Sequence, residues 1–97
     1  MSDDRLPTSL WVSAHLRLCS SQGVSATVLH RGDPDRGVVI QKLRRFDGRC
    51  ALLRQETRID GGLSWAAAFD GALRAEADAD AYIARACAQD PDLWVVE

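Results

Sequence analysis

Between residues 9 and 22 the apolar positions recur with helical spacing. At about 100° per residue, Trp11, Val12, Ala14, His15, Leu16, Leu18 and Cys19 gather on one broad face, and Ser13, Arg17, Ser20 and Ser21 fall opposite. Thr8 or Ser9 is placed to cap the orphan amides of this helix, and Gly23 suits the left-handed residue just beyond its end. Residues 1–8 read as a disordered tail. A second helical period runs from Ala75 to Gln89, with Ala75, Ala79, Tyr82, Ile83, Ala86 and Cys87 on one face. Glu76, Asp78 and Asp80 lie near its N-terminal end, where the helix dipole favours negative charge, and Asp90-Pro91 stops it.

Between the helices the period changes to that of strands. Ser25–His30 is short, contains β-branched residues and is bounded by Gly23 and Gly32. Arg31-Gly-Asp-Pro-Asp-Arg-Gly37 is dense in turn formers and reads as a loop, not as an adhesion tripeptide. Val38–Phe46 and Arg49–Thr57 flank Asp47-Gly48, the strongest hairpin signal in the chain. A two-residue turn there pairs Leu43 with Leu52 and sends Leu43 and Phe46 to opposite faces. A bulge at Arg44-Arg45 is therefore expected, to bring both to one side. Residues 63–69 fit either a helix start or a fourth strand, and the balance favours the strand. Asp92–Glu97 closes the chain as a strand apolar enough to sit inside a sheet.

The order α-β-β-β-(β)-α-β predicts a single α+β domain over 1–97. Its expected form is two layers: a mostly antiparallel sheet of four to five strands with two helices on one face. Ninety-seven residues with 46% hydrophobic and 27% charged content are ordinary globular usage and exclude wholesale disorder. No stretch is long enough to span a membrane and the start is acidic, so a cytoplasmic protein without membrane attachment is expected.

Charge divides the chain unevenly. Residues 38–59 hold six bases against two acids, whereas residues 60–97 hold eight acids against two bases. Such polarity marks either a basic binding surface or two halves that attract one another within the fold. Cys19, Cys50 and Cys87 form no close pair, which argues against a disulfide scaffold or a zinc knuckle and favours small buried hydrophobes. Basic neighbours of Cys50 are the one feature able to activate a thiol.

Two stretches carry a resemblance. Trp11-Val-Ser-Ala-His-Leu-Arg17 and Asp90-Pro-Asp-Leu-Trp-Val-Val-Glu97, with Arg31-Gly-Asp33 and Asp47-Gly48 between them, resemble a family of small alphaproteobacterial proteins known as domain of unknown function 1491. The resemblance runs from about Leu10 to Glu97, and the closing motif is its most specific part. It implies one cytoplasmic domain and supplies no catalytic residue. Members of that family continue past the glutamate into a further charged, hairpin-like stretch. For a chain ending at Glu97, the resemblance implies a shorter sheet or an open edge at Leu93–Glu97.

Candidate chemistry is sparse. His15 and Cys19 share a helix face at metal-ligand spacing, but no third ligand is indicated, so no metal and no cofactor are expected. No nucleophile elbow or phosphate-binding glycine loop occurs, and no catalytic residue is assigned. The expected function is a non-catalytic interaction or accessory module with a protein partner or a second copy, its surface centred on Trp94, Asp90, Asp92 and Trp11. The alternative is nucleic-acid binding by the basic hairpin 42–58 through Lys42, Arg44, Arg45, Phe46, Arg49 and Arg54. An enzyme of unknown chemistry stands third.

Overall fold

The computed structural model describes residues 6–57, 59–60 and 62–97. Arg58 and the first five residues of the expected tail lie outside the described residues. Thr8, expected at the end of that tail, is the buried first residue of helix α1 (Thr8–Ser21). Its hydroxyl does not cap the helix but donates to the Gly37 carbonyl at 2.8 Å. The orphan amides of Thr8 and Ser9 donate instead to the carbonyls of Asp35 and Pro34, at 3.2 and 2.8 Å. The loop ahead of the second strand thus does the capping expected of a side chain. Gly23, at φ +75°, ends the helix in the left-handed region as its position suggested.

The strands are β1 (Val28–His30), β2 (Val39–Arg44), β3 (Arg49–Thr57), β4 (Leu63–Ala67), β5 (Arg74–Ala75) and β6 (Trp94–Val96), with α2 (Glu76–Gln89) between the last two. Their order across the sheet is β1-β6-β2-β3-β4, and the two-residue β5 pairs with β3 beside β4. Among the described residues only the β2–β6 neighbours are parallel, so the sheet is mostly antiparallel and the class is α+β. The strand reading of residues 63–69 holds for 63–67. The chain then makes a 3-10 turn over Ala68–Gly71, with Phe69 and Asp70 at φ 57° and 54°. The Phe69 ring meets Tyr82 edge-on at 5.5 Å and carries the Arg74 guanidinium at 5.0 Å, contacts that offset the unusual backbone.

Three expectations are corrected. The helices do not share one face. Val12 of α1 packs with Val39, Trp94 and Val96, whereas Ala79 and Ala86 of α2 pack with Ile40, Leu52 and Val95. Adjacent residues of one strand point to opposite sides, so the helices cover opposite faces and the layers number three rather than two. The centre of the sheet is apolar on both sides and needs a helix on each.

Strand β6 is not an open edge either. Trp94, Val95 and Val96 are all buried, with β1 on one side and β2 on the other, as a continuous apolar run requires. In the β2–β3 hairpin, pairing runs unbroken from Ile40↔Arg54 to Arg44↔Cys50, and Arg45 N–H then donates to the Arg49 carbonyl at 2.8 Å. That leaves a three-residue turn, Phe46-Asp47-Gly48, with Gly48 at φ +83°. No bulge forms at Arg44-Arg45. The extra turn residue moves the register by one, Leu43 faces Ala51 rather than Leu52, and Phe46 stays in the turn.

Candidate functional site

The basic hairpin is divided by strand alternation. Ile40, Lys42 and Arg44 point to the α2 face, and Val39, Gln41 and Leu43 to the α1 face. On the α2 side Lys42 is 4% exposed and sits in a cage of carboxylates, 2.8 Å from Glu76 and from Asp80 and 3.2 Å from Glu97. Burial on its own pushes the Lys42 ammonium down, but hydrogen bonds to Asp80, Glu76 and Glu97 outweigh it and hold its pKa well above the ordinary lysine value. The same hydrogen bond from Lys42 holds the Glu76 carboxyl below its usual range. Arg44 adds an ion pair to Glu76 at 3.5 Å. Lys42, expected to meet phosphates, is therefore an internal tie between sheet, helix and last residue.

Hydrophobic Phe46 is fully exposed at the turn, where Arg44, Arg45, Phe46, Gly48 and Glu76 line a shallow depression. Asp47 is committed to the turn, its carboxylate accepting the Arg49 N–H at 2.9 Å. Among the described residues, no carboxylate pairs with Arg45, Arg49 or Arg54. Arg45 and Arg49 continue the alternation of Leu43 and Ala51 and stand at the hairpin end of the α1 face, while Arg54 lies opposite Ile40 and belongs to the α2 face.

Helix α1 covers only part of its face. Beyond it lie Leu43, Ala51, Leu53, Trp65 and Ala67, brought side by side by the β2–β3 and β3–β4 registers. Leu43 is 47% exposed and Trp65 37%. The Trp65 ring touches Trp11 at 5.8 Å, so the flank of α1 borders this strip. Trp11 also stacks on His15 at 5.1 Å. The exposure of this strip was not read from the sequence. Leu43, Leu53 and Trp65 belong to three separate strands, and the one-residue register that the third turn residue sets is what places Leu43 and Leu53 on one face.

The other residues singled out in the sequence serve the fold. Trp94 is 3% exposed and its indole N–H donates to the Asp33 carbonyl at 2.7 Å, which removes it as a surface anchor. Asp90 accepts the Asp92 N–H at 3.1 Å in a tight turn, and the Asp92 carbonyl accepts the Asp33 N–H at 3.0 Å. Trp11 remains half-buried at the border of the open strip. Asp33 uses its carboxylate to hold the amides of Asp35 and Arg36, so the turn lies over residues 34–36 and Arg31-Gly-Asp33 leads into it. His15 Nε2 lies 3.7 Å from the Cys19 thiol, and His30 Nδ1 donates to the Leu93 carbonyl at 2.7 Å. Among the described residues, no three metal-ligating side chains converge. Burial pushes the Cys50 and Cys87 thiols up, and at Cys50 it prevails over the nearby Lys42 and Arg44 charges. Cys50 is fully buried, and Cys19 and Cys87 only half so.

No helix is long and apolar enough to cross a membrane among the described residues. No curated protein matches the chain. Solved structures do. The crystal structure of a DUF1491 family protein from Caulobacter crescentus is 39% identical with a TM-score of 0.85, over 96% of this chain and 86% of that one. An NMR structure of a DUF1491 family protein from the same organism is 40% identical with a TM-score of 0.81, over 95% and 83%. The solution structure of protein Atu0922 from A. tumefaciens is 26% identical with a TM-score of 0.79, over 96% and 84%. The sequence profile described as a protein of unknown function (DUF1491) matches residues 6–97, nearly the whole chain with both of its resembling stretches, and the chain belongs to that family.

Proposed function

We propose that this chain is a non-catalytic protein-interaction module of the cytoplasm that receives a partner on the open apolar strip of its α1 face. The carrying observation is that Leu43 and Trp65 are both exposed on a sheet face that α1 leaves uncovered, with Ala51, Leu53 and Ala67 between them. Contiguous exposed apolar surface of this kind marks an interaction site, whereas single exposed leucines do not. Strand β4 supports the reading, since its sequence Leu-Ser-Trp-Ala-Ala has no charge or proline to blunt a sheet edge. A photo-crosslinking residue at Leu43 should give a discrete protein adduct in cells, and one at Leu29, exposed on β1 at the far edge, should not. Equal labelling at both positions, or none at Leu43, refutes the proposal.

The hairpin tip favours a second reading, in which Phe46 stacks on a base while Arg44 and Arg45 meet phosphates around the shallow depression. It predicts oligonucleotide binding that falls steeply with salt and is lost in Arg45→Glu combined with Phe46→Ala. Binding that is absent or insensitive to salt removes it.

A further inference from the structure

At the hairpin end of the sheet the two faces differ in how their basic residues are paired, while Arg54, also without a carboxylate partner among the described residues, lies farther along the α2 face. On the α2 face Lys42 and Arg44 are neutralised by Glu76, Asp80 and Glu97. At the hairpin end of the α1 face, Arg45 and Arg49 are exposed, and among the described residues neither has a carboxylate partner. They adjoin the open strip directly, since Leu43 and Ala51 precede and follow them on the same two strands. Along the rest of the strip the residues are apolar or uncharged: Gln41, Leu53, Gln55, Trp65 and Ala67. The surface is therefore bipartite, an apolar track closed at one end by two free guanidinium groups.

Resting on the interaction reading above, we infer that the partner segment is a peptide with an apolar stretch and a cluster of aspartate or glutamate at one end. The apolar stretch lies along Leu43, Leu53 and Trp65, beside Trp11, and its carboxylates reach Arg45 and Arg49. Guanidinium groups favour carboxylates because the two planar groups match in paired hydrogen bonds, and the attraction fixes the direction in which the segment lies. A basic or uncharged end leaves both arginines unanswered. Apolar burial supplies affinity in this arrangement, and the arginines supply orientation and association rate.

The test is selection of a random peptide library displayed on phage against the intact protein. Bound peptides are then mapped by chemical-shift perturbation on the labelled chain. The expected peptides pair aliphatic or aromatic residues with terminal Asp or Glu and perturb Leu43, Leu53, Trp65, Arg45 and Arg49 together. The same selection against Arg45→Glu combined with Arg49→Glu should recover Lys- and Arg-ended peptides. Binding of the original peptides should weaken at least tenfold in that variant. Both positions are exposed, and the spectrum of the free variant reports its fold. Apolar peptides that map to the strip with no acidic enrichment overturn this inference while leaving the interaction reading intact. Peptides that map elsewhere, or none, overturn both. A single-stranded oligonucleotide that shifts Arg45 and Arg49 when acidic peptides do not overturns it in favour of phosphate.

Discussion

Gly32→Ala should be among the most destabilising single-methyl changes available to this fold. A Cβ at Gly32 overlaps the backbone carbonyl of Asp92, and Leu93 and its carbonyl stand close behind. Both sides of the contact are backbone, so no rotamer change relieves it, and the 31–37 loop must move away from the 90–94 segment. Two hydrogen bonds bridge that gap: Asp33 N–H to the Asp92 carbonyl at 3.0 Å, and the Trp94 indole N–H to the Asp33 carbonyl at 2.7 Å. Each contributes about 1 kcal/mol net. Re-exposing roughly 40 Å² of the buried Trp94 ring costs about another 1 kcal/mol. The expected loss is therefore about 3 kcal/mol, or roughly 12–24 °C in Tm for a domain of this size. Gly48→Ala is the control: at φ +83° it meets backbone strain of about 1 kcal/mol, but a Cβ there has nothing within 4 Å. Urea and thermal unfolding followed by tryptophan fluorescence measure both. Equal losses in the two variants would refute the reasoning, because the close approach of the two loops would then carry no energy beyond backbone conformation.

The remaining predictions concern charge and thiols. Lys42→Met should cost about 2 kcal/mol in urea unfolding near neutral pH. This is less than a fully buried pair loses, because Glu76, Asp80 and Glu97 are 38%, 57% and 30% exposed and water can reach them. A loss no larger than that of Arg45→Met would count against the carboxylate cage. The Glu76 carboxyl is lowered in the folded state from 4.5, so its contribution is fully present above that value and fades as pH falls through the folded one. The Lys42 contribution is present below 10.5 and is lost only in strong alkali. The difference in stability between wild type and Lys42→Met should accordingly shrink as urea midpoints are taken from about pH 6 to about pH 3, and a constant difference refutes the coupling. Thiol titration of the native protein should label Cys19 first and Cys87 more slowly. Cys50 should react only on unfolding, because it is fully buried with its pKa raised. Labelling of native Cys50 at the rate of Cys19 contradicts that placement.

Local signals carried much of the secondary structure. The helical periods of α1 and α2, the Asp47-Gly48 turn and the stop at Asp90-Pro91 depend on residues within a few positions of one another, and each appears where its pattern lies. Layering was harder to read. Val39 and Ile40, and Trp94 with Val95, are apolar on consecutive positions. That pattern announces burial on both faces, but not which helix covers which. The hairpin register rested on whether the turn held two residues or three, and one residue decided whether Leu43 met Leu52 or Ala51.

The candidate site divides along the same line. Composition and order supplied a basic hairpin in an acidic domain, and the motifs at Trp11–Arg17 and Asp90–Glu97 supplied the family resemblance. Only the folded chain decided that Lys42 faces inward to three carboxylates 34, 38 and 55 positions away, while Arg45 and Arg49 face solvent. The same holds for Gly32 and Gly37, read as turn formers, whose missing side chains make room for the Asp92 carbonyl. Sequence by itself determined where this chain turns, where it coils and how much apolar surface it must hide, because those properties belong to neighbouring residues. Which surface stayed uncovered, and which charges stayed unpaired, only the tertiary structure decided, because both depend on contacts between segments far apart in the chain.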